Sequence, residues 1–144
     1  RSPLAVREGR GHLPGGAPGM LTLIAGGSGL LGTAIRKALP GKVVTLDRVK
    51  PRGRAAFIRC DVTHRFDVQA ACRKVGYVST LIYAAGRHSE RFWTDPFDFH
   101  SWHQTMGVYL DGAFYLLREV LPGMVNHRFG RIVLLGSVYG SVAP

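Results

Sequence analysis

Apolar residues in this chain come in short blocks that alternate between two spacings. Leu21-Thr22-Leu23-Ile24-Ala25 is a compact apolar run that ends on Gly26-Gly27-Ser28-Gly29, and it reads as a buried strand. Over 30–39, Leu31, Ile35 and Leu39 fall four apart and Pro40-Gly41 follows, which predicts a helix and its stop. Val43-Val44-Thr45-Leu46 and Ala55-Ala56-Phe57-Ile58 predict a second and a third strand. Helical spacing returns over 66–75 and ends at Gly76, and Thr80-Leu81-Ile82-Tyr83-Ala84 predicts a fourth strand closed by Ala85-Gly86. The stretch 87–100 is polar and aromatic and is broken by Pro96, so it reads as a short helix plus loop. The longest helix is expected over 102–125, where Trp102, Met106, Tyr109, Ala113, Leu117, Val120 and Met124 keep steps of three or four. A fifth strand over 131–135 runs into Gly136 and Ser137.

Strands apolar on both sides and separated by helices belong to a parallel sheet covered on both faces. Right-handed crossovers then favour an α/β, doubly wound parallel sheet of about five strands in the order 3-2-1-4-5, a Rossmann fold that is incomplete in this chain. Residues 1–19 are rich in Gly, Pro and Arg without an apolar period and read as a disordered leader or upstream remnant. Met20 is the expected start of the domain, which occupies 20–144.

Composition narrows the class further. An apolar fraction of 46% with 19% charged residues is that of a soluble globular protein. No apolar run approaches the roughly 20 residues that span a bilayer, and the N-terminus carries no secretory h-region. Cys60 and Cys72 are too few for a disulfide framework and read as reduced thiols of a cytoplasmic protein. The net charge of +10 is concentrated at Arg36, Lys37, Lys42, Arg48, Lys50, Arg52, Arg54 and Arg59. Such a cluster suits either a polyanion or a solvated surface beside a phosphate site. Without interleaved aromatics, zinc spacing or a helix-turn-helix pattern, the second reading is preferred, and no nucleic-acid or membrane partner is expected. His100 and His103 stand three apart but have no third ligand at matching spacing, so no metal site is expected.

Gly27-Ser28-Gly29-Leu30-Leu31-Gly32 is a G-x-G-x-x-G run placed between a predicted strand and a predicted helix. In that context glycines permit a tight turn, close backbone approach to a pyrophosphate and close helix–strand packing. The N–H groups and positive dipole end of the helix meet the phosphate charge. Asp47 stands twenty residues beyond Gly27 at the end of the second strand, where an acid accepts hydrogen bonds from ribose hydroxyls. A carboxylate there favours NAD over NADP, while Arg48 and its basic neighbours would neutralise a 2′-phosphate. A strand-end Asp that merely caps a turn is the plainer alternative.

From Met20 onward the chain resembles the short-chain dehydrogenase/reductase family. Ala25-Gly26-Gly27-Ser28-Gly29-Leu30-Leu31-Gly32 is similar to its cofactor motif in the T-G-x-x-G-x-x-G form, and Cys60-Asp61-Val62-Thr63 to the segment whose Asp contacts adenine. Tyr83-Ala84-Ala85-Gly86 stands where the family has N-N-A-G, a segment that steadies the sheet beside the cofactor. Val108-Tyr109-Leu110-Asp111-Gly112 stands where it has V-N-L-x-G, with Tyr109 in place of the Asn that supports a water-linked proton relay. The run 130–137 resembles G-R-I-V-N-I-S-S, which matches Ser137 to the Ser that orients a substrate carbonyl. A lone strand-end Ser is otherwise a turn residue. The family's Y-x-x-x-K pair, about a dozen residues past that Ser, has no counterpart in the chain. The resemblance implies NAD, or NADP, and a small-molecule alcohol or carbonyl substrate reduced or oxidised by hydride transfer. It also implies a homo-oligomer for a full-length protein. A dinucleotide-binding or partner-binding module without chemistry is the alternative.

Overall fold

A computed structural model describes residues 20–87 and 98–137. The leader read over 1–19 and most of the loop read over 87–100 lie outside the described residues. The elements are β1 (Leu21–Ala25), α1 (Leu30–Ala38), β2 (Lys42–Asp47), β3 (Ala56–Arg59), α2 (Arg65–Val75), β4 (Thr80–Tyr83), α3 (Phe99–Met106), α4 (Gly112–Asn126) and β5 (Arg131–Leu134). All strand pairs are parallel, and the order is β3-β2-β1-β4-β5. Leu23 sits at the centre, level with Val44 on one side and Leu81 on the other.

Strand alternation divides the core between two faces. Leu21, Leu23, Ala25, Val44, Leu46, Leu81 and Tyr83 point toward α2 and α4, which supply Val68, Ala71, Cys72, Ala113, Leu116, Val120 and Met124. Ile24, Thr45 and Ile82 point the other way and are also buried. Each fully buried Leu or Ile contributes roughly 1.5–3 kcal/mol, so this central layer carries most of the hydrophobic stabilisation.

Two predicted stripes are corrected. The helix expected over 102–125 is interrupted by a π-helical turn, Gly107–Asp111, between α3 and α4. A π turn inserts one extra residue, which rotates the helix beyond it by about 100°. Trp102 and Tyr109 are exposed, and beyond the turn Leu116 takes the fully buried place expected of Leu117. In α1, Leu31 is 60% exposed, and Gly32 is the buried residue. The helix meets the sheet through that glycine: a Cβ there would lie 2.2 Å from the Gly26 carbonyl oxygen. The side chains of β5 are exposed along its whole length.

Candidate cofactor site

The chain leaves β1 through a turn anchored to both neighbouring strands. Gly26 N–H donates to the Leu46 carbonyl and Ala84 N–H to the Ala25 carbonyl, each at 2.8 Å. Gly26 adopts φ of +79°, and a Cβ there would fall 2.5 Å from Ala85 Cα. Only glycine satisfies that dihedral and that approach together. The first intrahelical bond of α1 runs from Thr33 N–H to Gly29 O at 2.9 Å. The N–H groups of Leu30, Leu31 and Gly32 lie ahead of it at the helix end, with no main-chain acceptor among the described residues. No acidic side chain stands in this first turn, while Arg36 and Lys37 occupy the last. The helix end is left electropositive, ready for an anion.

Asp47 closes β2 directly opposite this turn. One of its oxygens accepts from Ser28 N–H at 3.0 Å and the other from Val49 N–H at 3.2 Å. Ser28 Oγ donates to the Val49 carbonyl at 2.5 Å. The acid thus straps the glycine turn to the β2–β3 connection, and each oxygen retains lone pairs for further donors. Turn capping and ligand acceptance are compatible in this geometry.

Asp61 follows β3. Its Oδ1 accepts from Thr63 N–H at 3.0 Å and Thr63 Oγ1 at 2.8 Å. Oδ2 lies 4.0 Å from Arg48 Nη1 and 3.7 Å from His64 Nδ1. Partial burial alone would push the Asp61 carboxyl up, but the Thr63 hydrogen bonds, then Arg48 and His64, outweigh it and hold the group below the usual carboxylate range.

These features face one cleft of about 1180 Å³ at the carboxyl ends of β1, β2 and β4. This is the place where crossovers diverge to opposite sides of an open parallel sheet. Of the residues singled out by sequence, Gly26, Ser28, Gly29, Asp47, Arg48, Asp61, Val62, Ala84, Ala85 and Gly86 line it. Gly27, Leu30, Leu31 and Gly32 build the turn and helix end behind that lining. Ser137 is exposed beyond β5 and is not among the lining residues. Lys37, Arg87 and Gln104 line the cleft without any motif to mark them, and Thr63 does so at the end of the Cys60-Asp61-Val62-Thr63 segment; Arg87 directly follows Ala85-Gly86, and that position was the available signal. His103 also lines it, but the described residues hold no group of three metal-ligating side chains.

Comparison with known proteins places this architecture. Residues 21–144 match the family described as short chain dehydrogenase. The chain belongs to that family. The fatty acyl-CoA reductase of Acinetobacter baylyi is 31% identical over 140 residues, covering 83% of this chain and 48% of that protein. The 2-dehydro-3-deoxy-L-rhamnonate dehydrogenase (NAD(+)) of a Sphingomonas species is 36% identical over 89 residues, covering 58% and 35% respectively. Thermoplasma acidophilum aldohexose dehydrogenase, solved ligand-free, matches with a TM-score of 0.78 at 26% identity, over 87% of this chain and 52% of that one. A short chain dehydrogenase from Leptospira borgpetersenii with bound NAD+ shares the fold, with a TM-score of 0.77 at 24% identity over 87% and 54%. The chain spans about half the length of the first two of these solved structures and of the Acinetobacter reductase.

Set against the short-chain dehydrogenase pattern, two asparagine positions hold tyrosines that cross-link the cleft wall. Tyr83, at the end of β4, donates its hydroxyl to the Val108 carbonyl inside the π turn. Tyr109, from that turn, accepts from Arg87 N–H at 3.2 Å and donates to the Arg87 carbonyl at 3.0 Å. Strand end and helix each reach the other's main chain. Burial, with Cys60, Asp61 and Tyr109 nearby, pushes the Tyr83 phenol above its ordinary value, so it stays protonated as a donor.

Proposed function

We propose that this chain is the cofactor-binding portion of an oxidoreductase that moves a hydride between NAD(P) and a small-molecule alcohol or carbonyl. The observation that carries the reading is the Ser28 N–H to Asp47 bond at 3.0 Å. It joins an anion-seeking helix end to a carboxylate across one cleft, the pairing a dinucleotide needs. Gly26, Gly27, Ser28 and Gly29, with the N–H groups of Leu30, Leu31 and Gly32, would hold the pyrophosphate. Asp47 would accept from the adenosine ribose hydroxyls. Asp61 and Val62 would flank the adenine, and Ala84, Ala85 and Gly86 would form the opposing wall. Ser137 would orient the substrate carbonyl. When bound, the nicotinamide supplies the hydride acceptor or donor.

Asp47 favours NAD, because its charge opposes a 2′-phosphate; Arg48, beside it in the cleft, is the residue that would admit NADP. The NAD+ held by the Leptospira protein and the NAD(+) in the Sphingomonas enzyme's name support the same choice. The reductase and dehydrogenase names among the relatives support the substrate class. The buried free thiols Cys60 and Cys72 suit a reducing, cytoplasmic setting. Leu110, Phe114, Leu121 and Val125, exposed on the π turn and α4, suit a homo-oligomer of the full-length protein. Tyr109, in the relay position, favours a second reading as a dinucleotide-binding or partner-binding module without turnover.

Titration with NADH and NADPH, followed by nicotinamide fluorescence and thermal unfolding together, tests the proposal. Ligand at a hundred times its Kd stabilises the folded state by about 2.7 kcal/mol. The expected result is saturable binding that prefers NADH and weakens in Asp47→Ala. A folded chain that binds neither nucleotide sinks the reading.

A further inference from the structure

β3 is an outer strand: β2 lies on one side of it, and no strand among the described residues lies on the other. Cys60 N–H donates to the Asp47 carbonyl at 2.9 Å, and Arg59 is level with Asp47. Inward and outward donors alternate along a strand, so Ile58 also points at β2, while Phe57 and Arg59 turn their N–H and C=O groups outward. None of those four groups has a hydrogen-bond partner among the described residues. Beside this edge runs a cavity of about 450 Å³ between β3 and α2. Ile58, Ala70 and Ala71 supply its apolar lining, and the exposed Arg48, Arg59 and Lys74 its cations. Asp61, His64 and Asp67 complete it, but Asp61 is already held by Thr63, and Asp67 accepts from Asp61 N–H at 3.4 Å. Arg59 and Lys74 have no ion pair among the described residues, nor have Arg52 and Arg54, exposed on the approach to β3.

An edge that alternates donors and acceptors fits another extended main chain, whose own groups alternate in the same way. Phosphate groups offer acceptors only, which suit the two N–H groups and repel the two carbonyls. Charge then selects among peptides. The cations repel the same edge of a second copy, a common guard against sheet-to-sheet growth, and attract a strand that carries carboxylates. We infer that β3 is a docking edge for an extended acidic segment of a partner protein, added to the five-stranded sheet as a further strand. An apolar side chain of that segment lies over Ile58, and its carboxylates meet Arg59 and Lys74. The inference does not rest on the cofactor reading, although Arg48, Asp61 and His64 line both cavities.

The test follows the main-chain amide signals of Phe57 and Arg59 in the whole chain by nitrogen-15 NMR. The probes are a short blocked peptide alternating Glu and Val, its Lys–Val counterpart, and inorganic polyphosphate. The Glu–Val peptide is expected to shift both amides and slow their exchange with deuterium, and the Lys–Val peptide to leave them unmoved. Arg59→Gln and Lys74→Gln each weaken the Glu–Val peptide about two- to fivefold, the worth of an exposed ion pair. Arg59→Pro removes an outward N–H and leaves the ladder to β2 intact, so it weakens binding roughly fivefold beyond Arg59→Gln. Should that variant fail to fold, slowed exchange at the Phe57 amide of the unmutated chain reads the same main-chain bond. Amides that ignore the Glu–Val peptide, or respond equally to the Lys–Val one, overturn the inference. Polyphosphate that protects the same amides as well as the peptide does overturns it in favour of a general polyanion surface. Amides that move when the chain alone is concentrated overturn it in favour of a second copy.

Discussion

Leu21 and Ser79, 58 positions apart, exchange hydrogen bonds at the buried base of the sheet: Leu21 N–H donates to Ser79 Oγ, and that hydroxyl donates to the Leu21 carbonyl, each at 2.9 Å. Ser79 is 1% exposed, so water cannot replace the hydroxyl. Ser79→Ala leaves the Leu21 N–H without an acceptor, and a loss of about 1–3 kcal/mol is expected from urea unfolding. A midpoint equal to that of the unmutated chain would show that the pair contributes nothing to stability.

Thr45 presents the opposite case. It is fully buried, and its hydroxyl has no hydrogen-bond partner among the described residues. Valine has nearly the same shape and no group to desolvate. Thr45→Val is expected to raise stability by about 1 kcal/mol, seen as a higher denaturant midpoint at unchanged slope.

Gly32→Ala sets two effects of opposite sign against each other. Helix propensity alone favours alanine by about 1 kcal/mol. The added Cβ, however, would sit 2.2 Å from Gly26 O and 2.6 Å from Gly27 Cα, both main-chain atoms that cannot step aside. Net destabilisation is expected, together with weaker NADH binding, because α1 must move off the turn. A stabilised variant would contradict the packing described for this helix.

Cys60 and Cys72 are both pushed up to about 12 from an ordinary 9.0, mainly by burial, with Asp67 and Asp61 adding at Cys60 and Glu119 and Cys60 adding at Cys72. The folded state therefore holds these protons more tightly than the unfolded chain does. Their contribution to stability is complete below pH 9 and is lost as pH rises from there toward 12. At pH 8 the native protein should react with Ellman's reagent only as fast as it opens, and both thiols should react at once in denaturant. Thermal midpoints should fall above pH 9, and less steeply in Cys72→Ala.

Much of the fold and the cleft was legible in the residues because the signals are local. The β1 run, the glycine turn and Asp47 lie within one strand–helix–strand unit, where spacing and motif describe the same object. The π turn was invisible, since steps of three and four through Met106, Tyr109 and Ala113 fit an unbroken helix equally well. Leu31 misled because its helical spacing could not show that Gly32 would be the point of closest approach. Arg87 was marked only by its place after Ala85-Gly86, because its contacts with Gln104 and Tyr109 are made only in the fold.

Strand order also sets a schedule. As the chain is made, β1 comes first and pairs soon afterwards with β2, but its other neighbour waits for β4. Synthesis at roughly 5–20 residues per second puts several seconds between Leu21 and Ser79. Through that interval β1, the middle of the finished sheet, is an outer strand with bare N–H and C=O groups and an apolar flank. The arrival of Ser79 and Leu81 turns it inward.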